Sequence, residues 1–252
     1  MHPSLSGTLE DWLAPQIISH ADSFQQRPIL IDIGAYHGDF SVRFLDDKIF
    51  RNAVLFEPNP KNYSEIAKRF SDRPNVKLET VACDNQCGEH EFFCAGETYT
   101  GSLLPYGTSN LDSTERSVVH CVTLDSYLKE QSSLDKIGLI KIDTQGNDLR
   151  VLQGAEEMLR VSRPWIVAEL IYIPLYKNLG QPYDLASWLA SRGYTMAAQF
   201  NEYYTNEGWL AWSDACFVPK ELSKTFSNQF LERPKPTPPK RRRSFLRRLF
   251  RK

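Results

Sequence analysis

Residues 29–38 read Ile-Leu-Ile-Asp-Ile-Gly-Ala-Tyr-His-Gly. A short β-branched run closed by Gly34 suits a strand buried on both faces, and SVRFLDD at 41–47 then reads as a helix. The pattern repeats with AVLFE (53–57) as a strand, Lys61 to Phe70 as a helix and VKLETVAC (76–83) as a third strand. Such alternation predicts a parallel sheet with crossover helices, a doubly wound α/β layout.

Working outward, EHEFFCA and SVVHCVTL predict two further strands around the Gly- and Ser-rich stretch 96–113, a small antiparallel excursion from the wind. IGLIKID (137–143) returns to a continuous apolar strand, NDLRVLQGAEEMLR to a helix and PWIVAEL to a fifth core strand. YDLASWLASRG is helical up to Gly193, and YTMAAQF and DACFVP complete seven main strands. Upstream, residues 8–24 space Leu9, Trp12, Leu13 and Ile17 as a helix that Pro15 should kink. The chain divides into an N-terminal brace (1–27), an α/β domain (28–222) and a proline-rich linker with a basic tail (223–252).

Ten of the thirty Lys and Arg fall in 233–252, where no acid occurs. The remaining chain is acidic, which argues against nucleic acid as a partner of the domain. Phe245, Leu246, Leu249 and Phe250 recur at helical spacing among these basic residues, so residues 240–252 are expected to touch anionic membranes peripherally. No apolar run reaches the ~20 residues of a membrane span, and the start lacks the pattern of a secretory signal. The expected location is cytoplasmic, at the inner face of the membrane where the tail engages. Five cysteines without a Cys-x-x-Cys pair read as buried thiols, and no metal site is expected.

Ligands of an open parallel sheet bind beyond the carboxyl ends of its strands. Here those ends carry Asp32, Glu57, Asp84, Asp143 and Glu169. The first loop decides between cofactors. A dinucleotide site needs G-x-G-x-x-G to admit a pyrophosphate, but Asp32 and His37 stand where two of those glycines would be. An acid at the mouth suits a cofactor carrying an ammonium and a sulfonium, which disfavours a nicotinamide-dependent oxidoreductase. Gly34 and Gly38 would let the backbone approach the amino-acid end of that cofactor. Glu57 can accept from both ribose hydroxyls, and Asp84 from the adenine amine.

These residues lie within a longer resemblance. LIDIGAYHGDF, LFEPNP, VACDNQCGEHEFF, Gly101-Ser102-Leu103, VTLDSYL, IGLIKIDTQGNDLRVLQGA, RPWIVAEL and DACFV together resemble the FkbM-type methyltransferases over about residues 29–218. The family commonly shows Glu where this chain has Gln145, and Gly in the first loop where it has Tyr36. The resemblance implies a Rossmann-like class I methyltransferase fold, S-adenosylmethionine as cofactor and O-methylation of an acceptor that varies across the family.

On that reading Asp32, Gly34, Tyr36, Gly38, Glu57, Asp84 and Asp143 would hold the cofactor. Asp143, His37 and Glu169 are the candidate acids and bases for a hydroxylated small acceptor such as a sugar. Tyr172 and Asp214 are candidate acceptor contacts, within an aromatic set that also holds Tyr176, Tyr203, Tyr204, Trp209 and Trp212. Asp125, opening the TLDSYL helix, is expected to cap it. N-methylation and a non-catalytic module on the same fold are the alternatives. The oligomeric state is not legible.

Overall fold

A computed structural model describes residues 9–20, 28–95, 101–107 and 114–222. The tail and its linker lie outside the described residues. Strand β1 (Ile29–Ile33) is central and buried along its length apart from its first residue. Around it the main sheet takes in β2 (Asn52–Phe56), β3 (Val76–Glu79), β7 (Ile137–Ile142), β8 (Trp165–Ile171), β9 (Tyr194–Tyr204) and β10 (Leu210–Pro219). The order is β3-β2-β1-β7-β8-β10-β9. Pairings from β3 to β8 are parallel, whereas β10 runs antiparallel to both β8 and β9. The seven strands expected from the sequence are these seven.

Helices cover both faces. On one, α1 (Leu9–Ser19), α2 (Asp39–Asp46) and α3 (Pro60–Arg69) seat Leu13, Ile17, Phe44 and Ile66 against Leu30, Leu55, Leu139 and Val167. On the other, α4 (Leu124–Glu130), α5 (Asp148–Gln153), α6 (Glu156–Ser162) and α7 (Pro182–Ser191) seat Leu128, Leu152, Leu159 and Leu189 against Ile31, Ile140 and Ile166. Pro15 lies inside α1 without interrupting it. Fully burying each such aliphatic side chain contributes about 1.5–3 kcal/mol, so the two layers are held by apolar burial.

Three sequence expectations change for physical reasons. VKLETVAC is two strands: β3 ends at Glu79, and Ala82–Cys83 (β4) pairs with β6 (Thr114–Val122) in a second sheet that β5 (Gly88–Ala95) completes. NDLRVLQGAEEMLR is likewise broken at Gly154, where an added Cβ would stand 2.2 Å from the carbonyl oxygen of Asp84. The chain passes too close there for a side chain, so α5 and α6 separate. Asp125 does not cap its own helix, since Thr123 accepts from the Ser126 N–H. Its carboxylate instead accepts from the N–H groups of Glu157 and Met158 at the start of α6.

Candidate active site

Strand periodicity builds the site. Leu30 and Asp32 on β1, Leu139 and Lys141 on β7, and Val167 and Glu169 on β8 alternate onto one face. Register sets Asp32 opposite Lys141 and Asp214 opposite Glu169. A face that is apolar along its length therefore becomes charged at the carboxyl ends of adjacent strands, with Asp143 following β7.

Lys141 is the buried cation of this group. Its Nζ donates to the Gly34 carbonyl at 2.7 Å and lies 3.4 Å from Asp32 and 3.6 Å from Asp143. Burial works against its charge, but the carboxylates of Asp32, Asp143 and Asp214 hold it above the usual lysine range. Ser41 on α2 donates to the other oxygen of Asp32 at 2.7 Å. Asp32 thus sits fully buried beneath the first loop and braces it from below. The sequence signal for Lys141 was a single Lys inside the apolar run IGLIKID.

A cleft opens above, lined by Gly34, Tyr36, Phe56, Glu57, Val81, Ala82, Cys83, Phe92, Leu103, Asp143 and Gln145, among others. Glu57 is 5% exposed and accepts from the Tyr36 N–H at 2.8 Å and the Asn59 N–H at 2.9 Å. Burial raises its pKa, and those two hydrogen bonds oppose the shift. A second hollow of about 220 Å³ shares Gly34, Tyr36 and Asp143 with the first and adds Phe40, Lys141, Val167 and Asp214. Asp143 therefore stands at the boundary of two clefts.

Profile comparison matches the methyltransferase FkbM domain to residues 32–196. The chain belongs to that family. Its cofactor is S-adenosylmethionine. The crystal structure of methyltransferase FkbM from Methylobacillus flagellatus KT aligns at TM-score 0.50 and 14% identity, covering 75% of this chain and 44% of that one. An rRNA methylase from Streptococcus thermophilus aligns at 0.46 and 9%, covering 82% and 95%. Streptococcus pneumoniae Sp1610 in complex with S-adenosyl-L-methionine aligns at 0.45 and 13%, covering 86% of each chain. The chain thus spans less than half the length of the FkbM structure, and at these identities the likeness is one of fold. Comparison with curated proteins finds no match.

The cleft of the FkbM domain fits this cofactor by its donor set. Glu57 offers carboxylate oxygens beside apolar walls of Phe56, Val81, Ala82 and Phe92, and among the described residues no Lys or Arg lines the cleft. Two ribose hydroxyls, an adenine and a cationic amino-acid end match such a lining. A diphosphate would meet no compensating charge among these residues.

Sequence candidates separate accordingly. Gly34, Tyr36, Glu57 and Asp143 line the cleft, whereas Asp32, Gly38 and Asp84 are not among its lining residues. Gly38 caps α2 in a left-handed conformation. Asp84 is buried and taken by Arg150, whose Nε and Nη2 each donate at 2.7 Å. It ties α5 to the small sheet. His37 stacks on Tyr36 at 3.7 Å between centroids and lines neither cleft. The aromatic set disperses: Tyr203 stacks on Trp212, Trp209 is exposed, and Tyr172 lies at hydrogen-bond distance from Gln199 and Ser213. Tyr176 turns inward to Gln145.

Among the five cysteines, four are buried as expected and Cys87 is exposed. No helix among the described residues is long and apolar enough to cross a membrane.

Proposed function

We propose that this chain transfers a methyl group from S-adenosylmethionine to a hydroxyl oxygen of a small acceptor, such as a sugar, held in the hollow of Phe40, Lys141, Val167 and Asp214. The observation that carries this reading is the place of Asp143, shared by both clefts. The bound cofactor supplies an electrophilic methyl group, so the protein's task is to position the acceptor and receive a proton. Asp143 is the proposed acceptor of that proton. Asp214 and Tyr172, toward the β9–β10 side, are proposed to orient the acceptor. A hydroxyl must lose its proton during transfer, and a carboxylate at the boundary of the two clefts is suited to receive it.

The deciding experiment is transfer of labelled methyl from S-adenosylmethionine to fractionated cell extract, with mass spectrometry of the product, by wild type and Asp143→Asn. The variant is expected to keep its fold and most of its cofactor affinity while turnover falls by ~10²–10⁴. Near-normal turnover would move the role to Glu169 or His37, and absence of any labelled product would favour a non-catalytic module.

The tail is proposed to hold the enzyme at anionic membranes. Each basic residue near such a surface contributes about 1 kcal/mol. Vesicle co-sedimentation that is equal with and without residues 240–252 would remove this part of the proposal.

A further inference from the structure

Gln145 occupies a position that the reaction, as proposed above, leaves unexplained. It follows β7 with φ 56, in the left-handed region. Its main-chain carbonyl accepts from Ser102 Oγ at 2.8 Å, which anchors the residue to the segment over the cofactor cleft. Its side chain reaches the other way. Nε2 lies 3.0 Å from a carboxylate oxygen of Asp143 and 3.3 Å from one of Glu169. Oε1 accepts from the Tyr176 hydroxyl at 2.6 Å.

That last bond fixes the amide. With the NH₂ group facing two carboxyl groups that accept from it, the oxygen is left to accept from Tyr176, whose hydroxyl donates here. Tyr176 is itself held, 5% exposed and bridged to Tyr106. One amide thus bridges two acids.

The two acids differ in surroundings. Asp143 has Lys141 at 3.6 Å. Glu169 is crowded by Asp143, Asp148 and Asp214, with the Lys141 cation acting against them and Tyr176 close by. Burial first, then those three carboxylates, push the Glu169 carboxyl well above the usual carboxylate range. Neighbouring like charges do not both ionise readily, so whatever stabilises the ionised form of Asp143 matters to its role as a proton acceptor.

We infer that Gln145 is a positioning residue: by giving one amide hydrogen to Asp143 and the other to Glu169, it orients both carboxyl groups and favours the ionised form of Asp143, open to receive the acceptor proton. The inference rests on Asp143 being the base of the proposed reaction. The proton leaving the acceptor oxygen goes to Asp143, and Glu169 neither gains nor loses one in the step.

The test compares Gln145→Met, which keeps the length of the side chain without its donors, with Tyr176→Phe, which only frees the amide to turn. Turnover of labelled S-adenosylmethionine with the labelled extract fraction is measured against pH, beside Asp143→Asn. In parallel, infrared titration follows the protonated-carboxyl band assigned to Glu169 by its loss in Glu169→Gln; this arm requires no acceptor. The expected result for Gln145→Met is an acidic limb displaced upward by about one pH unit, hence about tenfold slower turnover on that limb. The Glu169 band should shift its midpoint upward in the same variant, which loses the donor to that carboxyl group. Tyr176→Phe should move both readouts in the same direction by less.

A pH profile and a Glu169 midpoint that stay at their wild-type positions in both variants would overturn the inference, even if Asp143→Asn abolishes turnover and the base stands. Normal turnover in Asp143→Asn would remove the base itself, and Gln145's role with it.

Discussion

Lys141 Nζ donates to the main-chain carbonyl of Gly34 at 2.7 Å, so a buried cation on one strand holds the loop after another. The same ammonium faces Asp32, which is fully buried. Removing one partner of a buried pair leaves the other without compensation, which costs roughly 3–5 kcal/mol. Ser41 still donates to Asp32 in that case, so the lower end is expected. Lys141→Met should lower the melting temperature by about 6–12 °C. Adding Asp32→Asn should restore more than half of the loss. Thermal or urea unfolding of both variants checks this, and equal stability of the single and double variants would contradict it.

Gly34 also meets β7 by shape. An added Cβ would stand 1.9 Å from the Asp143 carbonyl oxygen, and the residue has φ +71. Gly34→Ala therefore strains the backbone and pushes Asp143 out of place. Weakened cofactor binding together with lowered stability is expected. A variant that binds S-adenosylmethionine as wild type does in calorimetry would show that the loop tolerates the displacement.

These two residues also mark how far the sequence was legible. Gly34 and the apolar strand IGLIKID were readable because strand periodicity and turn chemistry are local. The same holds for all seven main strands and for the charged strand ends. The pairing of Asp84 was not legible because its partner, Arg150, lies 66 residues away, and no local pattern announces a bidentate pair. Asp125 caps a helix that begins 31 residues later, and Gly154 breaks a helix because of a neighbour's backbone. Lys141 and Gln145 were visible only as a Lys in an apolar run and a Gln after a strand. Their roles come from which carboxylates the register brings to them.

Asp148 gives a pH prediction. It is buried at the start of α5, accepting from the N–H and hydroxyl of Thr144 and from the Glu169 N–H. Burial first, with Asp143 adding to it, pushes its carboxyl up to about 6, against those hydrogen bonds. The folded state therefore holds the proton more tightly than the unfolded chain, whose value is near the ordinary 3.8. The sign follows: this group's contribution is most favourable below about pH 4, is lost as pH rises toward about 6, and is flat above that. In total the loss is of order 3 kcal/mol. Asp148→Asn cannot ionise, so its stability relative to wild type should improve by about 1 kcal/mol between pH 5 and pH 7. Urea titrations at the two values measure the change, and a constant difference would show that Asp148 ionises as easily in the fold as outside it.

Glu57 separates cofactor recognition from loop support. Each of its carboxylate oxygens already accepts one main-chain N–H, from Tyr36 and from Asn59. The Asn62 side chain hydrogen-bonds the carboxylate as well, and the carboxylate lines the cleft. Its remaining acceptor capacity is proposed to receive the ribose hydroxyls. Glu57→Ala removes both functions, so its effect on affinity mixes a lost contact with a loosened loop. Glu57→Gln is more telling, because its amide keeps one acceptor oxygen and turns the other position into a donor, which a main-chain N–H cannot accept. Hydrogen bonds to charged groups contribute roughly 1.5–3 kcal/mol. Glu57→Gln should therefore weaken S-adenosylmethionine by about 10- to 150-fold, and Glu57→Ala by at least as much with a larger loss of melting temperature. S-adenosylhomocysteine should lose the same factor, because it carries the same ribose and lacks only the methyl group. Calorimetry with both ligands decides it: a loss confined to S-adenosylmethionine would place Glu57 near the sulfonium instead of the ribose, and unchanged affinity for both would leave it a support of the Tyr36 loop alone.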